Sequence, residues 1–168
     1  MKGNIKLGLI LSTVFFGLNF NANAGVIPNW HSNFGVELAD LTDEDDENQV
    51  VTLNHSMSVY GSLYSSVSVN TNGSLNFTDF TDDYDVSDEF EDNYGVSIAA
   101  FWSDLDPSEN NDARIYQNSD VFNGQNANIF TWYKIPDYED NDLLNTFQAI
   151  ITEGGDIQLN FLSLDGVD

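Results

Sequence analysis

Oxygen-bearing side chains recur at every second position between Asp104 and Asp112: Asp104, Asp106, Ser108, Asn110 and Asp112. Calcium takes about six to eight hard oxygen ligands, and a tight loop after a rigid strand can gather several of them. The alternation copies the way an EF-hand loop begins. Glu109, however, stands where that loop needs its glycine, and Ile115 where it needs its bidentate glutamate, so an EF-hand is excluded. Two readings of the segment stand. Either these five residues ligate calcium, or Asp104 and Asp106 accept backbone N–H groups in a turn after a strand ending at Trp102. A second set, Trp102, Trp132, Tyr133 and Tyr138, offers either a sugar-stacking platform or core and edge packing. The acidic runs at 43–47, 82–85 and 137–142 read as solvated faces, and His31 and His55, which have no ligand-spaced partner, as surface residues.

Catalytic signatures are missing. The chain has no Gly-x-Ser-x-Gly elbow, no His-Glu-x-x-His, no P-loop and no cysteine nucleophile. Paired carboxylates could serve a glycosidase, but 28 acids in 168 residues guarantee pairs somewhere, so they decide nothing. The expectation is a non-enzyme. No cysteine also means no disulfide framework and no Cys-ligated zinc. Four Lys and Arg against those 28 acids give a net charge of −24, which argues against nucleic-acid binding. With 41% hydrophobic and 13% aromatic residues, the chain has enough apolar content to fill a core.

The elements that must position these side chains read as short strands. Val50–Leu53 and Met57–Tyr60 are β-formers. Val67–Phe77 alternates about Asn72-Gly73, a strong hairpin signal. Val96–Trp102 reads as a buried central strand, Ala113–Tyr116 and Ile129–Ile135 as further strands, and 118–128 as loop. Phe147–Thr152 and Ile157–Phe161 form a second hairpin about Glu153-Gly154-Gly155-Asp156. Residues 78–93 read as a long acidic loop with one helical turn after Ser87. Some eight short strands with Gly/Asn turns and no 3.6-residue stripe predict an all-β fold, an antiparallel β-sandwich with long acidic loops. Asn72-Gly73-Ser74 and Asn76-Phe77-Thr78 match the N-glycosylation pattern, but the hairpin tip accounts better for the first.

Residues 1–24 read as a secretory signal peptide: Lys2 and Lys6, an apolar run from Leu7 to Phe20, then Ala22-Asn23-Ala24. The run is short and weakly flanked for a membrane span, so the alternative is an uncleaved anchor, and no span is expected in the mature chain. Cleavage after Ala24 leaves Arg114 and Lys134 against all 28 acids, a net of −26. Self-repulsion of that size calls for screening by salt or bound cations, as in a saline or calcium-containing medium outside the cytoplasm. An acidic lead-in segment (25–49) then precedes the strand-rich domain (50–168).

Three stretches in this order resemble the extracellular nidogen-like (NIDO) domain. They are Tyr60-Gly61 through Val69-Asn70-Thr71-Asn72-Gly73-Ser74-Leu75-Asn76-Phe77, Ile98-Ala99-Ala100-Phe101-Trp102-Ser103-Asp104-Leu105-Asp106, and Thr131-Trp132-Tyr133 through Asn145-Thr146-Phe147-Gln148-Ala149-Ile150-Ile151. Ala100 stands where the family usually has proline, and Gln117 where an arginine often follows the tyrosine. The chain ends at Asp168, ahead of the family's usual closing tryptophan, which implies a fragment or a shorter variant. The resemblance implies a secreted or surface-displayed, non-enzymatic module of the bacterial exported type, associated with cell–matrix adhesion. Phe101, Trp102, Trp132 and Phe147 would then be core. Expected partners are matrix or cell-surface polymers reached through acidic loops, with calcium as the candidate cofactor. The alternative is a calcium-dependent carbohydrate-binding module of a larger exported protein that uses exposed aromatics.

Overall fold

The computed structural model describes residues 29–78 and 95–165. The leader and most of the long acidic loop, including the expected helical turn after Ser87, lie outside the described residues. Among the described residues, nine strands form two antiparallel sheets. They are β1 (Val36–Glu37), β2 (Asn48–Val59), β3 (Ser62–Asn70), β4 (Ser74–Asn76), β5 (Ser97–Ala99), β6 (Arg114–Phe122), β7 (Gln125–Pro136), β8 (Leu144–Thr152) and β9 (Ile157–Ser163). One sheet runs β1-β6-β7-β8-β9 and the other β2-β3-β4-β5. Two 3₁₀ turns, Ala39–Leu41 and Pro107–Glu109, interrupt the connections. The expected β-sandwich is the fold observed.

Period-two alternation builds the core. Val67 and Val69 from β3, Leu75 from β4, Ile115 from β6, Phe130 and Trp132 from β7, and Phe147, Ala149 and Ile151 from β8 all join one buried cluster between the sheets. Trp132 stacks on Phe147 at 4.9 Å and 13°, and its indole N–H donates to the Asn70 carbonyl at 2.9 Å. That bond satisfies a buried donor while tying β7 to the opposite sheet. Trp132 is therefore core and takes no part in a surface platform.

Local reading of the sequence fails in three places. First, 118–128 is the centre of a hairpin, because Asn123-Gly124 turns with both residues at positive φ, 50° and 80°. The polar strand positions that disguise it are hydrogen-bonded: Asn118 donates to the Asn33 carbonyl, Ser119 to Asn128 Oδ1, and Asn128 to the His55 carbonyl. Second, 96–102 contributes only the three-residue β5, at the edge of its sheet and not the centre. Third, 50–53 and 57–60 fall largely within one twelve-residue strand, β2, whose pairing with β3 is interrupted between Thr52 and Met57.

The lead-in segment packs across the outer face of the five-stranded sheet. The buried Gln148 grips His31 through both backbone groups: its Oε1 accepts from His31 N at 3.1 Å, and its Nε2 donates to His31 O at 2.8 Å. Farther along, Phe34 packs on Tyr116 and Tyr133, and β1 then pairs with β6. His31 itself reaches Asp120 through Nε2 at 3.0 Å.

Gly73, at the β3–β4 turn, has φ +83° and lies against the Phe101 carbonyl and the Phe147 ring, where a Cβ would collide. Gly124 has φ +80° but open space around it. Gly73→Ala is therefore expected to cost about 3 kcal/mol or more and Gly124→Ala about 1 kcal/mol. Urea unfolding midpoints of the two variants check this; equal losses would contradict the packing described.

Candidate cation site

Three loops meet at one end of the sandwich. The first leads from the 3₁₀ turn at 39–41 into β2 and carries Asp45 and Asp46. The second is the β3–β4 turn, 71–73. The third leaves β5 and carries Asp104 and Asp106. Asn72 joins them. Its side chain is buried; Nδ2 donates to Asp46 Oδ1 at 2.8 Å and Oδ1 accepts from Leu105 N at 2.7 Å. Thr71 adds a reciprocal link, with its N donating to Glu47 O and its hydroxyl accepting from Glu47 N. Neither Asn72 nor Asn76 is accessible as a glycan acceptor, since both side chains are buried in the sandwich.

Segment 104–106 is fixed on its other side by the chain that follows β7. Leu105 bridges Asp137, Asp106 N donates to Pro136 O, and Tyr138 N donates to Asp104 O. The result is an open cleft of about 160 Å³ lined by Asp45, Asp46, Asp104 and Tyr138. One carboxylate oxygen from each aspartate lies within 4.8 Å of the others. Asp46 adopts φ +46°, a left-handed conformation that aspartate tolerates better than most residues.

The crowding has electrostatic consequences. Partial burial, reinforced by Asp106, Asp46 and Asp104, pushes the Asp45 carboxyl up to about 6. Asp104 is raised by burial and then by Asp46, Asp137, Asp106 and Glu139. Like charges held this close favour either a shared proton or a cation. A hard divalent ion would take the three carboxylates directly, with water filling its remaining positions.

Of the five oxygen ligands expected from the sequence, Asp104 lines this cleft. Asp106 lies beside it but uses Oδ1 to accept from Ser108 N at 2.8 Å, capping the 3₁₀ turn at 107–109. Ser108 is on that turn. Asn110 accepts from Asp112 N and donates to Lys134 O, while Asp112 pairs with Lys134 at 3.3 Å. Asp45 and Asp46 were not foreseen: in a run of five acids, nothing local distinguishes the two that turn inward. Tyr138 is 55% exposed at the cleft, Tyr133 is half-buried, and Trp102 is partly buried.

The described residues thus form a two-sheet antiparallel sandwich with loop-borne carboxylates at one end. A family model described as NIDO related matches residues 19–166, and the chain belongs to that family. Membership suggests an extracellular module. No curated protein and no solved structure matches the chain. Among the described residues no helix is long and apolar enough to cross a membrane.

An acid whose folded-state pKa lies above its unfolded value holds its proton more tightly when folded. Its contribution to stability therefore grows as pH falls through the raised pKa and is lost as pH rises through it. In EDTA, the melting temperature should rise as pH falls from above 6, the raised Asp45 value, toward 4, near its ordinary 3.8. Asp45→Asn should melt higher than the parent chain near neutral pH and show a smaller rise on acidification. Scanning calorimetry across that window checks both; an unchanged or lowered melting temperature in Asp45→Asn would contradict the crowding.

Proposed function

We propose that the chain is a non-enzymatic, exported binding module that mediates cell–matrix or cell-surface adhesion, with calcium held at its acidic end. The observation that carries this reading is the convergence of Asp45, Asp46 and Asp104, from loops far apart in sequence, within 4.8 Å of one another. Such a cluster is repulsive without a counter-ion and becomes an adhesive point when a divalent ion shares it with anionic polymers. Asp106, Asp137 and Glu139 extend the negative field around it. Family membership supports the extracellular setting, where calcium is available.

A second reading has its own support. Tyr138, 55% exposed, lines the same cleft as the three aspartates, which is the arrangement a calcium-dependent carbohydrate-binding module would use. Retention of the full chain on extracellular matrix and on immobilised polysaccharides, with calcium and with EDTA at constant ionic strength, tests the function. The proposal expects retention in calcium, its loss in EDTA, and its loss in Asp104→Asn. Loss in Tyr138→Ala with calcium binding intact would favour the carbohydrate reading. Equal retention with and without calcium, or none in either buffer, would overturn the proposal.

A further inference from the structure

Lysine and arginine are so scarce in this chain that their positions are informative. Among the described residues there are two, Arg114 and Lys134, and both line one open cleft of about 310 Å³ together with Asp112, Tyr116 and Tyr133. The cleft lies on the outer face of the five-stranded sheet, and none of the three aspartates lines it. Arg114 and Tyr133 are register partners there, next to the core pair Ile115 and Trp132.

An irregularity in β7 brings the second cation in. Trp132 pairs with Phe147 and Ile135 with Asn145, so Tyr133 and Lys134 together oppose the single residue Thr146. Lys134 N donates to Thr146 Oγ1 at 3.0 Å, and Lys134 is held at φ +54°. Glycine or asparagine suits that conformation better than lysine does. A strained lysine at a strand bulge that re-aims its side chain toward a cleft points to a use for that side chain.

The cations are held loosely enough to be recruited. Lys134 Nζ lies over the Tyr133 ring at 5.4 Å from its centroid and meets Asp112 at 3.3 Å, but the Asp112 side chain is 73% exposed, and exposed pairs of this kind contribute little. Arg114 Nε meets Glu37 at 3.2 Å and Nη1 donates to the Asn111 and Ala113 carbonyls, and none of these contacts among the described residues uses Nη2. Tyr116 and Tyr133 are braced from behind by Phe34, with ring centroids at 5.4 and 5.5 Å. They supply fixed amphipathic surface beside the charges.

We propose that this cleft binds the carboxylate-bearing ring of an acidic sugar. Arg114 and Lys134 take the carboxylate, and Tyr116 and Tyr133 supply contact to the ring and its hydroxyls. An acidic peptide fits less well. It would bring further carboxylates against Glu37, Asp112 and a chain of net charge −24, whereas one sugar ring brings a single carboxylate among neutral hydroxyls.

The test is a calorimetric titration of the full chain in EDTA at fixed ionic strength, which takes the calcium reading out of play. The titrants are digalacturonate, its methyl ester and tetra-aspartate. Digalacturonate should bind saturably, and esterification, Lys134→Gly and Arg114→Gln should each weaken binding about tenfold or more. Lys134→Gly should melt no lower than the parent chain, because glycine relaxes the positive φ. Failure of digalacturonate to bind, indifference to esterification or to both substitutions, or equally tight tetra-aspartate binding would overturn the proposal.

Discussion

The acidic end of this sandwich depends on one buried side chain. The Asn72 amide accepts from the backbone of Leu105 and donates to Asp46, so the loop into β2 and the loop out of β5 are referenced to the same hairpin tip. Without that amide the repulsion among Asp45, Asp46 and Asp104 would favour splaying them apart, and a buried N–H would lose its acceptor at a cost of about 1–3 kcal/mol. The hairpin tip is itself anchored from below: Gly73 O accepts from Ala100 and Phe101 N, and Asn70 O accepts from the Trp132 indole. Core packing, turn and carboxylate cluster are thus successive links of one chain.

Charge explains why this matters in a domain without cysteine. A net charge of −24 disfavours a compact state, and no disulfide offsets it. Packing supplies the stability through a core drawn from both sheets, and the lead-in segment adds to it by clamping on Gln148. The two cations of the described residues are kept at the opposite extreme of usage, on the outer face of one sheet. The acidic end and the tyrosine-lined cleft that holds both cations of the described residues therefore present different charges.

The fold class was legible because alternation and Asn-Gly turns are local signals. Val67 to Phe77 and the β8–β9 hairpin, with Thr152 and Ile157 flanking its turn, follow directly from them. The β6–β7 hairpin was not legible, since Asn118, Ser119 and Asn128 satisfy their polar groups through partners distant in sequence. In the site, Asp104 could be singled out because it follows an apolar strand and a tight turn. Asp45 and Asp46 could not, because their selection from an acidic run is made by Asn72 and Thr71, whose side chains look locally like ordinary turn residues. Lys134 at the bulge was equally hidden: the extra residue exists only relative to β8.

The measurement that tests this account most directly is the thermal shift given by calcium, against sodium at matched ionic strength, in the parent chain and in Asn72→Ala. If Asn72 assembles the carboxylates, calcium raises the parent's melting temperature well above the sodium control, and that increment largely vanishes in Asn72→Ala. Equal increments in the two proteins, or none in the parent, would contradict it.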